Sequence, residues 1–241
     1  MNRLRREIGT WIARMLTVPV ETPPVLPVDI AALRAKLLPA DVILVEGNLR
    51  ISAVIKTLTQ STWSHAALYV GGEGADCVEA DVVAGVRRFR LEDLRHYHVR
   101  ICRPIGLNED DRRKVIAYAV SKLGTLYDLR YVFDLARYLV PLPIPKRWRR
   151  QAIALGSADP SRAICSTLIA QAFQAIGYPI LPEVDEASQL NEVGRRRARE
   201  IYHIHRNGLF VPRDFDLSPF FEIIKPEIPE AFDHHKLVWV E

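Results

Sequence analysis

Residues 63–71 read Trp63-Ser64-His65-Ala66-Ala67-Leu68-Tyr69-Val70-Gly71. From His65 onward the stretch is small, aliphatic and aromatic, and Gly71-Gly72 stops it, which predicts a strand. A Gly-rich turn separates it from Asp76-Cys77-Val78-Glu79-Ala80-Asp81-Val82, so the two segments predict a hairpin. Upstream, Pro39-Ala40 turns the chain into Asp41-Val42-Ile43-Leu44-Val45-Glu46-Gly47, a short strand of the buried type. Val86–Phe89 and Val99–Cys102 are further strand candidates. The polar-apolar stretch through Thr57-Leu58-Thr59-Gln60 carries no assigned element.

Beyond this mainly β stretch the pattern turns helical. Asn108 suits an N-cap, Glu109-Asp110-Asp111 suits a first turn, and Val115, Ile116, Ala119, Val120 and Leu123 form one apolar face ending at Gly124. Asp128–Leu139 predicts a second helix before the Pro141–Pro145 break, and Cys165–Ile176 a third, closed by Gly177. A shorter helix is predicted over Asp29–Leu38. After Glu183 the chain is polar and irregular until a late strand at Phe220–Lys225. Segregated strands and helices give an α+β class.

Length and composition set the frame. The 241 residues are 49% apolar and 26% charged, which excludes disordered and fibrous classes and allows one ample domain with extensions. Lys and Arg number 33 against 29 Asp and Glu, and this small excess, without a recognition motif, argues against nucleic-acid binding. Cys77, Cys102 and Cys165 are widely spaced with no Cys-x-x-Cys, so free thiols in a reducing, cytoplasmic compartment are expected, with no cofactor. No run approaches a membrane span and no leader pattern opens the chain. The spacing over residues 2–16 predicts a basic amphipathic helix, with Leu4, Ile8, Trp11, Ile12 and Met15 on one face, followed by a Pro-rich linker from Pro19 to Pro27. This predicts an appendage over 1–28 and a main domain over 29–241. The helix suits peripheral membrane contact, or packing on its own domain or a second subunit. The basic clusters Lys146–Arg150 and Arg195–Arg199 suit a membrane-proximal or anionic substrate, or a solvated face.

Cys165 opens a predicted helix. A helix start offers unpaired N–H groups and positive potential, which lower a thiol pKa and can stabilise an oxyanion. Such a nucleophile needs a base, and His65, at a strand start beside Ala66-Ala67, is the best placed. Glu79 on the neighbouring strand, or Asp81 two residues on and on the same face, can orient the imidazole. Other pairings remain: Cys165 with His203 or His205, or a weak metal set from His203, His205, His234 and His235.

These residues resemble a known family. Trp63–Gly71 resembles the His-strand motif of permuted papain-fold hydrolases, the YiiX-like relatives of NlpC-type endopeptidases. Ile164-Cys165-Ser166-Thr167-Leu168-Ile169 is similar to their Cys-Ser helix start, Gly124-Thr125-Leu126-Tyr127-Asp128 to their Gly-x-x-Tyr-Asp segment, and Val78-Glu79-Ala80 with Gly85-Val86 to the segment carrying their Glu. Thr167 departs from the acidic residue common there, which bears on specificity. The His-before-Cys order implies circular permutation of the papain arrangement. The resemblance therefore implies a permuted papain-like (NlpC-type) fold, a small antiparallel sheet or barrel packed against helices. It also implies a cysteine amidase or peptidase with a Cys165–His65–Glu79 triad and a thioester intermediate. Tyr127, Ser64 and Ser166 are candidates for substrate or oxyanion contacts. The substrate would be a small peptide, amide or lipid acyl group. A lipid-directed acyltransferase or thioesterase shares the thioester chemistry, and a non-catalytic lipid- or peptide-binding module could share the fold.

Overall fold

The computed structural model describes residues 18–20, 27–72, 74–81, 84–126, 164–181, 192 and 210–225. Within them, a six-stranded antiparallel sheet runs in the order β4-β3-β2-β1-β5-β6. Its strands are β1 (Val42–Glu46), β2 (His65–Tyr69), β3 (Cys77–Asp81), β4 (Gly85–Phe89), β5 (His98–Pro104) and β6 (Phe221–Ile224). The helices are α1 (Ile30–Lys36), α2 (Arg50–Thr59), α3 (Glu109–Ser121), α4 (Ile164–Gln174) and α5 (Pro212–Leu217), with a 3-10 turn at Leu91–Leu94.

The continuous apolar run of β1 explains its central place, because a strand with no polar face must be covered on both sides. Val42 and Leu44 join Ala66, Leu68, Val78 and Ala80 on one face, under Val115 and Ala119 of α3, Leu168, Ile169 and Phe173 of α4, and Phe215 of α5. Ile43 and Val45 join Ala67, Tyr69 and Cys77 on the other face, under Ile30 of α1 and Leu91 and Leu94 of the 3-10 turn. Asp41 at the head of β1 is fully buried, and its carboxylate accepts hydrogen bonds from the Leu38 N–H (2.8 Å) and Arg103 Nη2 of β5 (2.8 Å). These partners compensate the desolvation of the charge.

Most predicted elements stand. The hairpin forms with Ala67 opposite Glu79, Asn108 caps α3 by accepting from the Asp111 N–H, and Asp29 caps α1. Helix α2 occupies the stretch to which no element was assigned, and α5 lies in the tail read as irregular. The cap residue of α2, Leu49, makes no side-chain hydrogen bond. Its start is instead held by main chain: the Arg50 N–H donates to Val18 O at 3.0 Å, and the Val20 N–H to Asn48 O at 2.7 Å. Residues 18–20 of the Pro-rich segment are thus docked beside α2, not only a spacer. The helices predicted over 2–16 and 128–139, the Pro141–Pro145 break and the clusters Lys146–Arg150 and Arg195–Arg199 lie outside the described residues. No helix among the described residues is long and apolar enough to cross a membrane.

The outer edge of β4 is closed by the chain that leaves α3. The Val86 N–H donates to Thr125 O at 3.0 Å and the Gly124 N–H to Val86 O at 2.9 Å, covering an edge that would otherwise be open to pairing. Gly85 permits the approach: it has φ +75°, and a Cβ there would lie 2.4 Å from Thr125 O. Gly85→Ala combines left-handed strain with a backbone clash and is expected to cost about 2–4 kcal/mol. Urea unfolding checks this; a midpoint equal to that of the parent would mean that the 124–125 segment does not hold this edge.

Candidate active site

His65 is the first residue of β2, with about a quarter of its side chain exposed. The register pairs Glu79 with Ala67 on one side and Arg87 on the other. His65, two residues before Ala67, is therefore the diagonal neighbour of Glu79 on the same face, within reach of a long side chain. His65 Nε2 lies 2.7 Å from Glu79 Oε2. The other carboxylate oxygen, Oε1, accepts from Arg87 Nε at 2.8 Å and Nη2 at 2.7 Å. Asp81 takes a different part: its Oδ1 accepts from the Ala84 N–H at 2.7 Å, and its Oδ2 faces Arg87 Nη2 at 3.6 Å. Of the two carboxylates left open by the sequence, Glu79 is the one that hydrogen-bonds the imidazole.

Burial pushes the Glu79 carboxyl up, but the His65 hydrogen bond and the His65 and Arg87 charges outweigh it and hold the group below the usual carboxylate range. Glu79 is therefore ionised at neutral pH. A carboxylate cannot donate, so it fixes the imidazole proton on Nε2.

The helix carrying Cys165 packs on the two strands that carry His65 and Glu79. Cys165 is the second residue of α4, whose Leu168, Ile169, Ala172 and Phe173 lie against Ala66, Leu68, Val78 and Ala80. Alanines at 66 and 80 let the helix sit close, whereas Ala67 belongs to the opposite layer, so only one of the two small residues beside His65 serves this approach. The Cys165 side chain lies outside the described positions, as do Tyr127, His203, His205, His234 and His235. Ser166 is fully buried. Ser64 is also buried, and its Oγ accepts from the Gly47 N–H at 2.9 Å, joining the end of β1 to the start of β2. The two other cysteines are poorly suited to attack. Cys77 and Cys102 are fully buried, and burial, reinforced by Asp76 at Cys77 and Asp216 at Cys102, pushes both thiols well above their ordinary pKa.

Two groups were missed by the sequence reading. Arg87 was visible as part of a strand, but its pairing with Glu79 depends on the β3–β4 register. Trp63, buried beside Ser64, donates from Nε1 to Asp216 Oδ2 at 3.1 Å, while Arg100 Nη1 reaches Asp216 Oδ1 at 2.6 Å. The Arg100 guanidinium lies 4.8 Å from the indole centroid and the His98 ring 5.0 Å from it. This cluster fixes the residue two before His65. Among the described residues no group of three or more His, Cys, Asp or Glu side chains is placed to hold a metal ion.

Residues 37–139 match the family model of the permuted papain-like amidase enzymes, YaeF/YiiX, C92 family. The matched span contains His65, Glu79 and the Gly124–Tyr127 segment and ends before Cys165. Over these residues the chain is similar to the permuted papain-type, YiiX-like family that the sequence resembles, and the α+β architecture of the described residues agrees with that likeness. The matching family is described as one of amidase enzymes. The chain is also similar to the solved structure of metalloprotein YiiX from Escherichia coli O157:H7, at 19% identity over 79% of this chain and 98% of that one, with a TM-score of 0.49. No curated protein matches the chain.

Two outcomes follow from this geometry. Native protein treated with iodoacetamide near pH 7 is expected to leave Cys77 and Cys102 unmodified, as peptide mass analysis would show, and to expose both on unfolding; fast native labelling of either would contradict their burial. Glu79 also links stability to pH. Its folded pKa is depressed, so its contribution is complete above the unfolded carboxylate range and is lost as pH falls through the lower folded value. Glu79→Gln is expected to flatten the acid side of the urea-midpoint profile, and an acid slope identical to that of the parent would remove Glu79 as a source.

Proposed function

We propose that the protein is an amidase or peptidase that works through a thioester on Cys165, with His65 as base and acid and Glu79 as the group that orients the imidazole. The observation that carries this reading is the 2.7 Å His65–Glu79 pair at the start of the strand against which the Cys165 helix packs. The match to permuted papain-like amidases supports the reaction class.

With Nε2 committed to Glu79, the working nitrogen is Nδ1. It takes the Cys165 proton as sulfur attacks the substrate carbonyl, whose π electrons pass to oxygen. N–H groups at the start of α4 suit the resulting oxyanion. Collapse expels the amine with the proton returned from His65, leaving a thioester. Water, deprotonated by His65, then releases the acid and the thiol. Alternation turns Ala66 and Leu68 toward α4 and His65 toward the opposite face of the sheet, at the first residue of β2.

A peptidyl acyloxymethyl ketone, which alkylates activated thiols, is expected to label Cys165 alone. His65→Ala is expected to slow labelling about 100-fold or more, and Cys165→Ala to abolish it. Labelling at another cysteine, or undiminished modification in Cys165→Ala, would refute the assignment.

A further inference from the structure

We infer that Arg87 is a positioning residue for the His65–Glu79 pair: its two N–H donors on Glu79 Oε1 leave Oε2 aimed at His65 Nε2. The inference rests on the reading of His65 as base and Glu79 as its orienter.

Three observations support it. Glu79 and Arg87 are directly paired across β3 and β4, so the contact is set by backbone register. Nε and Nη2 converge on the same oxygen, at 2.8 and 2.7 Å, which holds Oε1 in place, while the contact of Oε2 with His65 fixes the other end of the carboxylate. The carboxylate itself is nearly buried while the guanidinium is half exposed, so one partner is strongly desolvated and needs compensation and the other remains hydrated. Asp81 Oδ2 lies 3.6 Å from the same Nη2, and Gly85-Val86, next to Arg87 in the chain, is pinned by the Gly124–Thr125 backbone.

Among the described residues, the charged and titratable groups around Glu79 are His65 from β2, Arg87 from β4, and Cys77 and Asp81 on its own strand. Arg34 and Asp76 lie beyond Cys77 and pair with each other. Arg87 is the cation that faces the carboxylate together with His65, and its charge helps to hold Glu79 below the ordinary range.

The test uses the full chain and the variants Arg87→Ala, Arg87→Lys and His65→Ala, with two readouts. The first is NMR of the His65 ring nitrogens and the Glu79 carboxyl carbon across pH. In Arg87→Ala the Glu79 midpoint is expected to rise by about one unit, the lower end of the effect of an adjacent cation, and the neutral His65 ring to lose its single Nε2–H tautomer. Arg87→Lys, which keeps the charge, is expected to restore most of the midpoint. The second is the pH profile of Cys165 alkylation by iodoacetamide, whose acid limb is expected to move upward in Arg87→Ala, a loss of about tenfold in rate on that limb. A role limited to joining two strands would lower thermal stability and leave tautomer and limb unmoved, and that result would overturn the inference. So would a moved Glu79 midpoint with an unmoved limb, where His65→Ala does flatten the limb. If alkylation ignores His65 as well, the Cys165 mechanism fails, and the NMR readout still decides whether Arg87 positions the pair.

Discussion

The two-sided burial of β1 is the constraint on which the rest of the structure depends. Val42, Ile43, Leu44 and Val45 offer no polar face, so the sheet must be covered by helices on one side and by α1 with the 3-10 turn on the other. A strand held in this way cannot slip, since a one-residue shift would exchange its two packed layers. β2 inherits that register directly, with Val45 opposite His65. The imidazole therefore stands on the strand next to the one buried on both faces, a position that would hold the proposed base firmly.

Packing also explains why the order of chemical groups along the chain is not restrictive. Helix α4 is fixed by Leu168, Ile169 and Phe173 against β2 and β3, and α3 lies in the same layer. None of those contacts depends on whether the helix precedes or follows the strands in sequence. A site that needs a strand start and a helix start can be assembled from either order, provided that the helix and sheet bury the same surfaces.

Legibility in the sequence followed the strength of the local signal. β1, the β2–β3 hairpin and α3 were readable because apolar pattern, glycine stops and the Asn108 cap agreed with one another. Helix α2 was hidden: five of its ten residues, Ile51, Val54, Ile55, Thr57 and Thr59, are β-branched, and its cap is a leucine whose helix start is tied down by residues about thirty positions upstream. At the site, His65 and Glu79 could be proposed from alternation and motif, and the choice between Glu79 and Asp81 could not, because both share a face. What separates them is a backbone hydrogen bond to Ala84 that engages Asp81, and sequence pattern does not encode it. Arg87 escaped for a related reason, since its partner is set by the number of residues in the turn between β3 and β4.

Charge accounting shows why an arginine belongs in this arrangement. Whenever the imidazole is neutral, Glu79 ionised leaves a charge of minus one beside it, and in the proposed mechanism a thiolate would add another. Such a site opposes ionisation of the nucleophile. With Arg87 paired to Glu79 the two charges balance, and in the proposed mechanism proton transfer from thiol to imidazole would create a cation and an anion beside that balanced pair. The half-exposed guanidinium keeps its own solvation while supplying that balance, so the buried carboxylate can stay ionised. A second carboxylate, Asp81, stands 3.6 Å from Nη2 and is partly exposed, so water screens it, and its Oδ1 accepts from the turn at Ala84. The three strands β2, β3 and β4 thus carry an ordered series, imidazole, carboxylate and guanidinium, and the sheet register alone sets its spacing.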